Sequence, residues 1–240
     1  MAELYGEAKQ HYVADLFARI APRYDFMNTL ITGGMHHRWK RETAAVTVKG
    51  LAGDALDIAT GTGDLAMAMA RHLNIRRAIG VDFLPEMVAV GNYKSGSTPR
   101  NGKVSLMVGD ALSLPFKDNT FACATAGFSL RNMPDLPQAL TEMVRVVQPG
   151  GRVTTLELTP MRSGVKASLF RIYFHRLVPL LGHIIAGDRA AYTYLPESVD
   201  YFPNADSLAQ LYRYAGLAQV QYALLGYGTV ALHHGIKPHG

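Results

Sequence analysis

From residue 55 to residue 158 the chain alternates short, nearly unbroken apolar runs with stretches in which apolar side chains recur at helical spacing. The runs cover residues 55–59, 77–81, 104–108, 121–126 and 152–158, and the helical stretches cover 64–72, 85–93 and 136–147. Apolar runs without a polar alternation are those of strands buried on both faces, so the pattern predicts a mostly parallel sheet sandwiched between helices. Gly, Ser, Thr, Pro and Asn cluster over 95–102 and predict a surface loop. Gln148-Pro149-Gly150-Gly151 predicts a sharp helix stop ahead of the fifth strand.

The flanks break this rhythm. Val13, Leu16, Phe17 and Ile20 share one helical face, Pro22 ends that helix, and Gly33-Gly34 precedes a basic helix over 37–48. The first fifty residues therefore predict a helical cap across the carboxyl ends of the strands, able to offer Tyr24, Asp25 and Asn28. Residues 160–205 form a helical insertion. Within it Leu169, Ile172, Tyr173, Arg176 and Leu180 lie on one face, and Phe170, Phe174, Leu177 and Leu181 on the next. So wide an apolar surface predicts core packing, a channel for a greasy substrate, or a membrane-contacting face. A last helix over 206–216 and two strands, 218–225 and 229–234, around Gly226-Tyr227-Gly228 predict a terminal hairpin. The whole reads as one α/β domain: cap 1–50, core 51–159, insertion 160–205, and terminal helix and hairpin 206–240.

Composition narrows the class. Of 240 residues, 48% are hydrophobic and 18% charged, which excludes wholesale disorder. The single cysteine, Cys123, allows no internal disulfide and sits in a strand, where it reads as core packing; a reducing, cytoplasmic setting is expected. A net charge of +5 permits attraction to anionic surfaces without requiring it. No uncharged run reaches membrane-spanning length and no signal peptide is visible, so a soluble or membrane-peripheral protein is expected.

The chemistry gathers at the first strand–turn–helix. Gly61-Thr62-Gly63 follows the 55–59 run and opens a helix, and Asp82 ends the second strand about 20 residues later, where an acid can hold two ribose hydroxyls. Asp57 and Asp64 flank the turn. Carboxylates there repel a pyrophosphate but suit a sulfonium and an ammonium, which favours S-adenosyl-L-methionine over a dinucleotide. Asp110-Ala111 after the third strand could hold an adenine. Arg131 and Asn132 follow the fourth strand, where ligands bind in such folds; a salt bridge from Arg131 to Asp135 is the structural alternative. The pairs His36-His37 and His233-His234 lack ligand spacing and read as packing or surface residues, with no metal site. No nucleic-acid methylation element occurs, and no nucleic-acid partner is expected.

Several separate segments then carry a resemblance. Residues 17–28 (FARIAPRYDFMN), 56–65 (LDIATGTGDL), 80–83 (GVDF), 128–132 (FSLRN), 145–152 (RVVQPGGR), 194–198 (YLPES) and 230–237 (VALHHGIK) together resemble the UbiE/MenG/COQ5 quinone C-methyltransferases. The resemblance implies a class I methyltransferase fold, Rossmann-like, with a seven-stranded mostly parallel sheet and a C-terminal hairpin. It implies methylation of a ring carbon of a prenylated quinol, in menaquinone or ubiquinone biosynthesis, with S-adenosyl-L-methionine as cofactor. Cofactor positions carried over are Thr62, Asp82, Asp110 and Ala111, alongside Gly61 and Gly63 of the turn. A further cofactor contact carried over falls on the backbone of Gly127, where many relatives have serine, and Ser129 stands where the hallmark has glycine. Arg131, Asn132 and Tyr24 are the expected catalytic residues: Arg131 steadies a phenolate, Asn132 orients its oxygen and Tyr24 reaches the ring. A lipophilic prenylated quinol, peripheral membrane contact and a homodimer are the expected partners; a ubiquinone-pathway C-methylation or a quinol O-methylation is the nearest alternative.

Overall fold

The structure is a computed structural model that describes residues 6–96, 102–161 and 164–239. Seven strands form one sheet: β1 (Gly53–Ile58), β2 (Ile75–Asp82), β3 (Val104–Val108), β4 (Phe121–Gly127), β5 (Val147–Leu158), β6 (Ala218–Leu225) and β7 (Val230–Ile236). Their order is β3-β2-β1-β4-β5-β7-β6, with β7 antiparallel to both its neighbours and the pairs from β3 to β5 all parallel. The order reverses between β1 and β4, which opens a crevice at the carboxyl ends of those two strands. β1 and β4 are buried almost throughout, as their unbroken apolar runs required.

The expected loop over 95–102 is partly displaced. Helix α5 (Pro85–Gly96) runs on through Ser95 and Gly96, and residues 97–101 lie outside the described ones. A second expectation fails at Gln148-Pro149-Gly150-Gly151. Helix α6 (Leu136–Val146) stops before it, and the four residues belong to β5, whose pairing with β4 slips between Phe121 and Cys123. Gly150 supplies φ +79° for this bulge, and the ladder to the chain end is kept by Gly150 N to Lys237 O at 2.8 Å and Lys237 N to Gly151 O at 2.9 Å. Cys123 packs in the core beneath the sheet, and burial pushes its thiol up to about 12.

The cap comprises α1 (Gly6–Ile20), a short 3-10 turn, α2 (Tyr24–Thr32) and α3 (Met35–Val48). Gly33 and Gly34 both take positive φ to turn the chain between α2 and α3. In the insertion, α7 (Val165–Ile172) and α8 (Val178–Leu181) join through a π turn over Tyr173–Leu177, and a second π turn over Gly182–Ala186 follows. Pro179 thus ends no helix: the widened turn before it absorbs the missing N–H. The next helix, α9 (Arg189–Asp200), is capped by Asp188, and α10 (Ala205–Tyr214) by Asn204. Phe174, Val178, Tyr192 and Tyr194 pack with Leu16, Ile20 and Met27 of the cap into one core, whereas Leu169, Ile172, Leu177, Leu180 and Ile184 are exposed. The insertion's apolar surface is therefore divided, though not along the two predicted faces: Phe170, Tyr173 and Phe174 pack with the cap, while Leu177 joins the exposed residues.

Candidate active site

The crevice beside β1 is closed by three devices. Asp82, at the end of β2, is buried; its Oδ2 accepts from Gly61 N at 2.7 Å and its Oδ1 from Leu84 N at 3.0 Å. Burial holds its carboxyl above the usual range, against those amide donors. Gly61 has φ +56°, and a Cβ added to it would reach within 3.9 Å of the Tyr24 ring. The backbone of the turn thus lies bare beneath the cap. A Cβ on Gly127 would come within 2.5 Å of Leu65, so a serine there would require Leu65 to shift.

Gly61, Asp82, Gly109, Asp110, Ala111, Gly127 and Asn132 line one pocket, together with Phe83, Leu84, Met87 and Leu112 from beyond β2 and β3. Its roof is α1 and α2, through Gln10, Val13, Ala14, Phe17 and Tyr24. Lys9 ties the roof down by donating to the carbonyls of Arg131 (3.1 Å) and Met133 (2.9 Å), and Asp110 Oδ1 accepts from Leu112 N at 2.9 Å. A buried acid at the strand end, bare glycine backbone and flanking apolar side chains suit a ribose, its linked chain and an adenine. The Asn132 Oδ1 atom is buried without a partner, which a polar ligand group in this pocket would supply.

Two flanking acids do not face this pocket as the sequence suggested. Asp57 is fully enclosed and accepts from Thr60 Oγ1, Thr125 Oγ1 and Ala66 N; burial pushes it up to about 6. Asp64 accepts from Lys40 (2.7 Å) and Lys94 (2.8 Å), and although burial acts to raise its carboxyl, the two ammonium groups hold it well below the usual range. The negative charge that favoured a sulfonium is thus already answered within the protein. Thr62 and Gly63 stand behind the turn, off the pocket wall. Thr62 Oγ1 donates to Asp25 Oδ1 at 2.8 Å and accepts from Lys94 Nζ at 2.9 Å, so a charged knot of Asp25, Lys94, Asp64 and Lys40 fastens α2 to the turn. Lys94, far along the chain in α5, gave no signal in the sequence; only the fold reveals its role.

Across Phe17, Tyr24 and Phe128 lies a second cavity of about 740 Å³, predominantly apolar, walled by α1, α2, α3, the insertion and the Gly226-Tyr227 turn. Arg131 is on its wall. The guanidinium is buried, paired through Nη1 with buried Glu157, and donates to Phe128 O at 2.7 Å; Nε has no partner. The partner is therefore Glu157 and not Asp135, which instead caps α6 by accepting from Gln138 N. Phe128, at φ +58°, carries the left-handed turn of this segment, while Ser129 at φ −127° needs no glycine. Tyr24 borders both spaces, Arg131 the cavity and Asn132 the cofactor pocket.

One member of each histidine pair is packed, while His37 is exposed and His234 half-buried. His233 is buried, with Nε2 2.8 Å from Ala205 O. His36 is buried with Nε2 3.0 Å from Thr29 Oγ1, and its imidazole is driven down to about 4 by burial, with Lys40 and His37 adding to it. Ligand atoms of His36, His37 and Asp64 lie within 4.8 Å of one another, but both Asp64 oxygens are engaged by lysines.

This geometry agrees with what the chain is similar to. The model of the ubiE/COQ5 methyltransferase family matches residues 5–237. The chain belongs to that family. It is a methyltransferase with S-adenosyl-L-methionine as its cofactor, and the Asp82 pocket has the residues to hold it. The demethylmenaquinone methyltransferase of Thermus thermophilus is 40% identical over 93% of this chain and 100% of its own length, and that of a Roseiflexus species 41% over 96% and 95%. Among solved structures, the [4+2]-cyclase SpnF superposes with a TM-score of 0.69 at 19% identity (95% and 96% coverage), and a SAM-dependent methyltransferase from Aquifex aeolicus with 0.58 at 15% (80% and 87%). These two likenesses are of fold alone.

Proposed function

We propose that this methyltransferase methylates a ring carbon of a prenylated naphthoquinol, converting a demethylmenaquinol to a menaquinol, at the cytoplasmic face of a membrane. The observation that carries the reading is the 740 Å³ apolar cavity that meets the cofactor pocket at Phe17, Tyr24 and Phe128 and has Arg131 as its buried cation. A small polar substrate would leave such walls unfilled. The curated relatives named above act, by their names, on demethylmenaquinone.

The cofactor supplies an electrophilic methyl group. What the protein must add is alignment and a nucleophilic carbon, which a quinol gains as one phenolic proton leaves. A phenol of pKa about 10 resists that loss near neutrality. Arg131 offsets part of the resistance by a directed hydrogen bond to the oxygen; since Glu157 balances its charge, the stabilisation comes from its donors and not from a free cation. Tyr24 packs over Gly61 at the boundary of the two spaces and sets the approach of ring to methyl.

The bare surface of the insertion supports a reading of peripheral membrane contact. Leu169 lines the cavity and is exposed, as are Leu30, Met35 and Tyr227 on the same cavity wall, and Ile172, Leu180 and Ile184 extend the apolar surface, with Arg171 and Arg176 exposed among them. Among the described residues no helix is long and apolar enough to cross a membrane. A prenyl tail could then pass from bilayer to cavity over apolar side chains.

The test offers reduced demethylnaphthoquinols and demethylbenzoquinols side by side with methyl-labelled cofactor, in detergent and in anionic vesicles. Preferred ring-carbon labelling of the naphthoquinol, faster with vesicles, is expected. Preference for the benzoquinol would move the protein to ubiquinone chemistry; labelling on oxygen would refute carbon transfer.

A further inference from the structure

Two phenol hydroxyls on the cavity wall have no partner in the fold. Tyr192 and Tyr194, both on α9, are 5% and 4% exposed, line the large cavity, and have hydroxyl groups with no hydrogen-bond partner. Buried hydroxyls are normally satisfied. This protein follows that rule where a tyrosine serves packing: Tyr173, on the same wall, donates to Ile31 O at 2.7 Å, and the core residue Tyr212 donates to Thr155 Oγ1 at 2.7 Å. Among the described residues the hydroxyls of Ser129, Thr154 and Thr159 are also buried without a partner, but Tyr192 and Tyr194 are the two phenols so placed, and both border a space large enough for a bicyclic ring.

Their rings are fixed. Tyr192 packs against Gly182, where an added Cβ would come within 2.3 Å of the ring, and Tyr194 stands edge-on to Tyr12 with centroids 5.8 Å apart. Burial raises both phenols, Tyr194 to about 12, so each stays a neutral donor at any working pH. They also sit at different stations. Helix α9, which carries both, packs against the turn that holds Arg131, with Tyr194 set against Tyr12 of α1 and Tyr192 against Gly182.

We propose that Tyr192 and Tyr194 are the two hydrogen-bond donors that grip the ring oxygens of the quinol, Tyr194 at the oxygen beside Arg131 and Tyr192 at the other. The inference rests on the reading of the cavity as a quinol site. A two-point grip selects a ring with oxygens on opposite carbons and fixes which carbon faces the methyl. One oxygen alone would let the ring turn about it in an apolar space.

Trp39, the single tryptophan, lines the same cavity and reports occupancy by its fluorescence. Wild type, Tyr192→Phe and Tyr194→Phe are titrated with a prenylated 1,4-naphthalenediol and with the two mono-ols that each lack one oxygen, and methyl transfer is followed on all three. Each variant is expected to bind the diol about tenfold more weakly, to raise KM more than it lowers kcat, to leave cofactor affinity unchanged, and to show no further loss on the mono-ol that lacks its own oxygen. Equal weakening on all three rings, or no weakening, would mean that the hydroxyls are met by water or serve packing, and would overturn the grip. If wild type neither quenches with the diol nor methylates it, the quinol reading itself falls, and the grip with it.

Discussion

The cofactor pocket and the apolar cavity share a wall of three aromatic residues, yet they are built in opposite ways. The pocket is made by backbone: a glycine turn, strand ends and one acid whose two oxygens hold the amides of Gly61 and Leu84. The cavity is made by side chains from the cap, the insertion and the terminal turn, segments up to two hundred residues apart. Some of its polar groups are paired, as Arg131 with Glu157 behind the wall and Tyr173 with Ile31 O, and others are left open, as Tyr192 and Tyr194. A backbone site tolerates few changes of position but is announced by local sequence. A side-chain cavity can change its ligand while the sheet stays the same, which fits a fold shared with a cyclase of 19% identity.

The sharpest way to break the cavity is Arg131→Ala. It strands Glu157 as an uncompensated buried charge, which costs about 3–5 kcal/mol, so a large fall in the thermal midpoint is expected. Adding Glu157→Gln should recover most of the stability and none of the turnover, as measured by calorimetry and methyl transfer together. Recovery of both would reduce Arg131 to a structural ion pair.

Asp82→Asn should break the pocket alone. It keeps the size and one carbonyl acceptor while removing the charge that two ribose hydroxyls would meet, so cofactor affinity is expected to fall about 100-fold, in line with a charge-assisted pair of hydrogen bonds. Calorimetric titration with the cofactor measures this, and an unchanged quinol-induced quench of Trp39 would show the two spaces to be separable.

The smallest expected effect lies on the cavity wall, at His36. His36 has a folded pKa of about 4 against 6.5 in the unfolded chain, so the unfolded state binds its proton first. The stability this lends is whole above pH 6.5 and is lost as pH falls toward 4, by about 2 kcal/mol at pH 5. Denaturant unfolding at pH 7 and pH 5 should show that difference in wild type and a smaller one in His36→Gln. An equal slope in both proteins would place the titration elsewhere.

Much of this could be read in the chain before folding. The apolar runs, the glycine turn followed by Asp82, and the terminal hairpin are local patterns set by backbone sterics and by the two-sided burial of a parallel strand; each appears within a few residues of its expected place. The bulge in β5 was hidden because Gln148-Pro149-Gly150-Gly151 has the composition of a stop, and only the ladder to Lys237 turns it into strand. Asp57 and Asp64 were legible as acids but not as satisfied ones, because Thr125, Lys40 and Lys94 reach them from elsewhere in the fold. The identity of Arg131's partner, and which part of the insertion's surface stays bare, were likewise invisible.

The sequence by itself thus determined the sheet, the order of its elements, the acid at the end of β2 and the family, since each depends on neighbours in the chain. Tertiary structure decided which charges are free, which phenols are unpartnered and where the large cavity opens. Those depend on side chains meeting across long separations, where burial sets the strength of every charge and the cost of every unpaired hydroxyl.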